Sequence, residues 1–183
     1  MTDLSLYLLD LVENSIAAKA SMIEVEIVED GKANRLSLTI RDNGRGMDET
    51  TRKKALDPFY TTRTTRKVGL GLPFIQMATE DALGTFSLES ALGVGTTLCA
   101  TFVADHVNTP PLGDLAATLC AISLHQDVTG FRYVHVAAGG RFEYDLEQVK
   151  AILDGTPLTA GGVMKFLHQY IQENIDHIRG GTS

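Results

Sequence analysis

Short glycine-containing segments connect the predicted helices and strands of the first 104 residues of this 183-residue chain. Apolar side chains recur at helical spacing in its helix-like stretches and alternate with polar ones in its strand-like stretches. The patterns predict helices at 4–18, 48–56 and 73–83 and strands at 22–29, 35–41, 86–90 and 97–103. Asp48 is a candidate N-cap and Gly84 a candidate C-cap. The order predicts an α+β fold, a two-layer α/β sandwich with helices on one face of a sheet.

The composition changes after residue 104, where Asn108, Pro110 and Pro111 favour a linker. We place domains at 1–104 and 112–183, joined by the linker at 105–111. The second is a small α+β lobe, and the sequence leaves open whether it packs on the first. Its predicted elements are helices at 112–124, 146–154 and 162–178 and a hairpin of 131–136 with 141–144. Alternating aromatic residues on the hairpin predict a packing face: Phe131, Tyr133, Phe142 and Tyr144.

The formal net charge of −7 argues against a general affinity for nucleic acid, because phosphate backbones attract clustered Lys and Arg. One basic cluster does occur, in the segments 52–54 and 63–67. A local cationic patch on an acidic protein suits a small anionic ligand better than a duplex.

The cysteines and the N-terminus indicate the cellular compartment of the protein. Cys99 and Cys120 lie far apart in apolar stretches, which predicts free buried thiols and a reducing compartment. The first ten residues lack a basic region, so they do not resemble a signal peptide. No apolar run approaches the roughly 18 residues that a membrane span needs. We expect a cytoplasmic protein without a membrane segment.

Four short segments carry residues suited to chemistry: LLDLVENSIAA (8–18), DNGRGM (42–47), DPFYTTR…GLGLP (57–73) and GVGTT (93–97). On the first helix, Asp10, Asn14 and Ala18 share one stripe, while Ser15 falls with the apolar residues. An Asn amide oxygen suits Mg²⁺, and a carboxylate one turn away suits the orientation of a water. A solvated polar stripe is the alternative.

The glycine segments allow similar pairs of interpretations. Asp42 at a strand end suits recognition of an amino group, and Gly44 and Gly46 allow a close approach of backbone, but Asp-Asn-Gly is also a common turn. Gly69 and Gly71 before a helix form a typical anion site, but glycine loops are often plain turns. GVGTT is either a site for Thr96 to contact a base or a bare hairpin turn.

In this order the segments resemble those of the GHKL superfamily, which includes the ATP-binding domains of gyrase, ninety-kilodalton heat-shock chaperones, sensor histidine kinases and mismatch-repair proteins. The resemblance implies a Bergerat (histidine kinase-like ATPase) fold that binds ATP and Mg²⁺ beneath a lid. By position, Asn14 matches the Asn that binds Mg²⁺, and Asp42 the Asp that recognises adenine. The other implied ATP contacts are Gly44, Gly46, Met47, Phe59, Thr62, Arg63, Gly69, Leu70, Gly71, Leu72 and Thr96.

Some features depart from that superfamily. The catalytic position four before Asn14 is Glu in the hydrolysing members and Asp10 here, so slow turnover is expected. Lys67 stands where a glycine is usual. None of the five histidines lies in a phospho-acceptor context, and no acceptor hairpin precedes the first segment. A conventional self-phosphorylating kinase in one chain is therefore not expected.

Two functions follow from the resemblance. In the first, ATP is hydrolysed or its γ-phosphate passes to a separate, unidentified partner protein. In the second, the chain is a nucleotide-gated protein-binding module with little or no turnover. A degenerate domain that binds no nucleotide is a third interpretation, and the sequence leaves a homodimer open.

Overall fold

The computed structural model describes residues 3–59 and 70–180. Within those ranges the chain forms six helices and six strands. They are α1 (Leu4–Ala17), β1 (Ile23–Asp30), β2 (Arg35–Asp42), α2 (Glu49–Ala55), α3 (Gly71–Asp81), β3 (Thr85–Ala91), β4 (Gly95–Val103), α4 (Leu115–Leu124), β5 (Phe131–Ala137), β6 (Gly140–Asp145), α5 (Leu146–Ile152) and α6 (Val163–Ile178).

All six strands belong to one mixed sheet, in the order β3-β4-β2-β1-β5-β6. Neighbouring strands are antiparallel except β1 and β5, which run parallel. Buried side chains alternate with more exposed ones along β1 and β2, so one face of the sheet carries the core beneath the helices. The predicted two-layer α+β sandwich is confirmed.

The register of the central strands brings two predicted site residues together. Asp42, the last residue of β2, pairs with Thr96 near the start of β4 and with Ile23 at the start of β1. Residues that pair directly across antiparallel strands project from the same face of the sheet. The side chains of Asp42 and Thr96 therefore share one face at one end of the sheet.

Helix α1 is hydrogen bonded at its start to residues at the end of the predicted linker. Asp3 caps the helix by accepting from the Leu6 N–H. The Leu4 N–H donates to the Pro111 carbonyl at 2.8 Å, and the Ser5 N–H donates to the Leu112 carbonyl at 3.0 Å. Because β5 also extends the sheet beyond β1, residues from both sides of the predicted linker build the same sheet. The division at 105–111 stays a prediction.

The predicted cap of α2 is confirmed, and the predicted cap of α3 is wrong. Asp48 caps α2 as predicted, since its carboxylate accepts from the Thr51 N–H. The prediction of Gly84 as the C-cap of α3 is wrong, because the helix ends at Asp81 and Leu83 takes the left-handed backbone, with φ of 54°. Gly84 is required for space instead, since a Cβ there would overlap the Thr101 carbonyl oxygen.

The aromatic residues of the β5–β6 hairpin form a packing face, as predicted. Phe131, Tyr133, Phe142 and Tyr144 are each at most 4% exposed. Burial raises the pKa of Tyr144 to about 12, against the effect of its 2.7 Å hydrogen bond with Ser123. Both cysteines are free thiols, as predicted, but only Cys120 is buried and Cys99 is partly exposed. Among the helices of the described ranges, none combines the length and apolarity that a membrane crossing requires.

Candidate functional site

A cavity of about 580 Å³ opens between α1, α2 and the ends of the central strands. Its apolar lining is Leu11, Ala17, Ala18, Ile40, Met47, Ala55, Leu72, Leu88 and Leu98. Its polar lining is Asn14, Ser15, Asp42, Arg45, Thr51, Lys54 and Thr96, together with the backbone of Gly46. An apolar cavity with a few convergent polar groups is the usual form of a small-molecule site.

Asp42 holds the polar centre of this cavity. The Gly44 N–H donates to its Oδ1 at 2.9 Å, and the Ser15 hydroxyl lies 2.7 Å from its Oδ2. An ionised carboxylate only accepts, so the hydroxyl is the donor in the second bond. Sequence reasoning missed Ser15, which it grouped with the apolar residues of α1. The available signal was a hydroxyl at a buried helix position immediately after Asn14.

The two glycines of DNGRGM are needed for close approach. A Cβ at Gly44 would stand 2.8 Å from the Ala18 Cβ, and the neighbouring Arg45 N–H donates to the Ala18 carbonyl at 2.9 Å. Gly46 has a φ of +67°, and a Cβ there would overlap the Ala91 carbonyl oxygen. The segment therefore packs directly between the end of α1 and the β3–β4 turn, which brings Asp42 to the cavity.

Thr96 lines the cavity beside Asp42 and is held by a second residue that sequence reasoning missed. Its hydroxyl lies 2.8 Å from the Ser90 hydroxyl, which also accepts from the Met47 N–H at 2.8 Å. Ser90 pairs with Thr96 across β3 and β4. This network fixes the backbone of Met47 and the Thr96 side chain on one wall of the cavity.

Asp10 and Asn14 lie one turn apart on α1, and each has a buried atom without a hydrogen-bond partner among residues 3–59 and 70–180. The atoms are Asp10 Oδ2 and Asn14 Nδ2. A Cβ at Gly71, the first residue of α3, would overlap Asp10 Oδ2, so the carboxylate lies against the start of that helix. A buried polar atom left unpaired costs about 1–3 kcal/mol, so such pairs are typical of sites that a ligand completes.

Cationic side chains stand on the α2 side of the cavity. Arg45 and Lys54 both line it. Arg52 instead donates to the Leu88 carbonyl at 2.8 Å and fastens α2 to β3. The hydrogen bonds from Thr51 hold the pKa of Asp48 below its ordinary value, so the cap of α2 stays ionised at neutral pH.

Six of the thirteen predicted ATP contacts line the cavity, whereas Gly44 and Gly71 do not belong to its lining. Asn14, Asp42, Gly46, Met47, Leu72 and Thr96 line the cavity. Phe59 is 92% exposed and Leu70 is 44% exposed, and neither belongs to the lining. Thr62, Arg63 and Gly69 lie outside the described residues.

Comparison with known proteins decides the family. Residues 2–106 match the family described as histidine kinase-, DNA gyrase B-, and HSP90-like ATPase. The chain belongs to this family. Membership confirms the resemblance drawn from the four segments, accounts for the mixed α+β sandwich as a Bergerat fold, and implies that the domain binds ATP.

Relatives of this ATPase family member include sensor proteins of bacteria. Sensor protein kinase FleS of Pseudomonas aeruginosa is 36% identical over 104 residues, which is 57% of this chain and 25% of that protein. Sensor protein RprX of Bacteroides fragilis is 37% identical over 67 residues, which is 34% of this chain and 13% of that protein. The chain thus spans a quarter or less of either relative's length.

A solved structure shows the same fold at low sequence identity. It is the crystal structure of the N-terminal domain of a DNA repair protein, with a TM-score of 0.52 and 18% identity. The match covers 79% of this chain and 52% of that one, so it is longer than the family match at residues 2–106. At this identity the likeness concerns the fold alone.

Proposed function

We propose that the chain binds ATP with Mg²⁺ in the cavity between α1 and the sheet, and that it hydrolyses ATP or transfers the γ-phosphate to a separate protein. One observation carries the proposal. A single helix, α1, places an acceptor for a base at Ser15 and, at Asp10 and Asn14, two buried polar atoms that have no hydrogen-bond partner among the described residues. A nucleotide needs one group of residues for its base and another for its phosphates.

Asp42 and Thr96 serve the adenine end in this proposal. The carboxylate of Asp42 is already held by Ser15 and Gly44, so it meets a ligand without reorganisation. Apolar side chains of the cavity lining, such as Ile40 and Leu98, provide surface for the flat base. The amino group of adenine would donate to the carboxylate.

Asn14 and Asp10 serve the phosphate end. The Asn14 amide and the start of α3 at Gly71 fit a Mg²⁺-phosphate group. The buried Asn14 Nδ2, which has no partner among the described residues, can donate to a phosphate oxygen, the amide oxygen is a neutral hard ligand for Mg²⁺, and a helix start favours anions. Bound Mg²⁺ supplies charge neutralisation of the phosphate oxygens. Asp10 would orient the attacking water or hydroxyl and accept its proton.

The test of binding uses a fluorescent ATP analogue, titrated with and without Mg²⁺ into wild type and Asn14→Ala. Binding should strengthen with Mg²⁺ in the wild type, and the variant should lose most of that increment. Asn174→Ala, on the exposed side of α6, is the matched control and should behave as wild type. Wild-type binding that is indifferent to Mg²⁺ would contradict the metal assignment.

The test of turnover measures phosphate release by the chain alone and with candidate partner proteins. Label from the γ-phosphate that appears on a partner protein, in place of free phosphate, would favour transfer over hydrolysis. Intact ATP in every combination would contradict catalysis and leave the binding proposal standing.

A nucleotide-gated binding module is the second candidate, and the fastening of α1 favours it. Helix α1 carries Asn14 and also bonds to Pro111 and Leu112, while Glu13 on α1 lies 3.9 Å from His125 at the end of α4. A nucleotide that shifts α1 would therefore act on the C-terminal residues. This candidate predicts a partner whose affinity differs between the ATP and ADP forms, and equal affinity in both would contradict it.

A further inference from the structure

We propose that Ser15 is a positioning and specificity-determining residue, which makes the cavity choose a purine with a 6-amino group over one with a 6-oxo group. The inference rests on the proposed ATP site and assigns its base selectivity to a residue beside Asp42. Ser15 is 3% exposed, lines the cavity and projects from α1 toward the end of β2.

The first step concerns the single proton of the Ser15 hydroxyl. Its oxygen lies 2.7 Å from Asp42 Oδ2, a distance typical of a charge-assisted hydrogen bond. The Gly44 N–H occupies the other carboxylate oxygen. Both oxygens of Asp42 are therefore held, and the plane of the carboxylate is set before any ligand enters.

The second step concerns what remains for a ligand. With its proton directed at Asp42, the Ser15 oxygen keeps only lone pairs, and the Asp42 carboxylate has only lone pairs. The two side chains present acceptors alone at this point of the cavity. A 6-amino group supplies donors to them, whereas a 6-oxo group would place a third acceptor against them and bury its own oxygen without a donor.

The third step distinguishes Ser15 from the other hydroxyls nearby. Thr96 lines the same cavity, but its hydroxyl is engaged with Ser90, which also accepts from the Met47 N–H. Thr96 and Ser90 are thus hydrogen bonded to each other and to groups on the β3–β4 side of the cavity, not to Asp42. Ser15 is the hydroxyl bonded to Asp42, so its removal changes the acceptor set at Asp42 and leaves the Thr96 wall as it is.

The test compares ATP with inosine triphosphate, which carries a 6-oxo group on the same purine, by competition against a fluorescent ATP analogue in Mg²⁺. Wild type should bind ATP at least about tenfold more tightly than inosine triphosphate. Ser15→Ala should weaken ATP by about tenfold, the size expected for one hydrogen bond to a charged group, and inosine triphosphate by much less. The ratio of the two affinities should therefore shrink.

The matched control is Ser123→Ala. Ser123 lies in α4, is as buried as Ser15, and its hydroxyl is hydrogen bonded to Tyr144 on β6. It should leave both affinities at their wild-type values. Ser15→Cys is a second variant, since a thiol is a weak donor, and it should give the same result as alanine. Melting curves without nucleotide show that each variant is folded.

The outcomes separate the two proposals. An unchanged ratio in Ser15→Ala, or a proportional loss of both nucleotides, would overturn the specificity role while the ATP site stands. Wild type that binds neither nucleotide would overturn the proposed function itself. A ratio that shrinks in both Ser15 variants and stays constant in Ser123→Ala is the result that supports the inference.

Discussion

Arg179, just after the end of α6, donates to both carboxylate oxygens of Glu29 on β1, at 2.8 and 3.1 Å. The same carboxylate lies 2.8 Å from His135 Nε2, and His135 Nδ1 lies 2.9 Å from the Tyr133 hydroxyl. His135 and Tyr133 are fully buried. A single polar network thus joins the last helix to two neighbouring strands of the sheet.

This network predicts a loss of stability in acid. Burial alone would raise the pKa of Glu29, but the hydrogen bonds from His135 and Arg179 outweigh burial and lower it below the ordinary value of 4.5. A carboxyl with a lowered folded-state pKa stabilises the fold above its unfolded pKa and loses that contribution as pH falls through the folded value. Glu29→Gln should therefore lower the melting temperature at neutral pH.

The difference between wild type and Glu29→Gln should shrink progressively below about pH 4.5. Glu143→Gln is the control, because Glu143 makes ion pairs with Arg132 and Arg141 at the exposed sheet edge and should change stability little. Melting curves between pH 7 and pH 3 measure both. A difference between wild type and Glu29→Gln that stays constant down to pH 3 would contradict the role of the network.

The turnover role of Asp10 predicts a separation of binding from chemistry. Asp10→Asn keeps the size of the side chain and removes its basicity, so phosphate release should fall by about 100-fold or more while ATP affinity changes little. Glu13→Gln removes a neighbouring carboxylate on the exposed side of α1 and is the control. Phosphate release at the wild-type rate by Asp10→Asn would remove Asp10 from the mechanism.

Gly71 predicts a steric coupling between α1 and α3. Gly71→Ala should destabilise the fold by about 1–3 kcal/mol, because the new Cβ would overlap Asp10 Oδ2. In an Asp10→Ala background the same substitution should be neutral or stabilising, since alanine favours helix. Gly161→Ala, whose Cβ would meet nothing within 4 Å, is the control. Equal destabilisation by Gly71→Ala in both backgrounds would argue that the strain lies elsewhere.

The shared sheet predicts that the chain unfolds as a unit. Phe131 is 1% exposed on β5, which pairs with β1, so Phe131→Ala should lower stability by about 3–5 kcal/mol in a single transition. Denaturant unfolding followed by circular dichroism and by tyrosine fluorescence measures this. Two separate transitions, with only one of them shifted, would support the division of the chain at 105–111.

Local patterns predicted most of the fold. Strand alternation located β1 and β2 within about one residue, because one face of each is buried and the other is wet. The insertion of β5 beside β1 was not predictable, since it joins residues about 108 positions apart through a parallel pairing that leaves no local signal. The backbone at Leu83 was missed because the glycine beside it has the stronger preference for that conformation.

The candidate site was predictable for residues that line the cavity directly. Asp42, Gly46 and Asn14 lie where spacing and the family resemblance placed them. Ser15 and Ser90 were missed, because each acts by holding another side chain, and such pairs exist only once the sheet and α1 are assembled. The sequence pattern therefore identifies residues that line the cavity better than the residues that hold them in place.

The most direct test of the ATP site is titration of ATP in Mg²⁺ into wild type and Asp42→Asn, followed by calorimetry. The variant replaces one carboxylate oxygen with an NH2 group, so the side chain keeps a single acceptor oxygen for three donors: the Ser15 hydroxyl, the Gly44 N–H and an adenine amino group. We predict saturable binding to wild type and a loss of at least about 100-fold in the variant, with the variant still folded. Equal ATP affinity in the two proteins would contradict the assignment of this cavity as the nucleotide site.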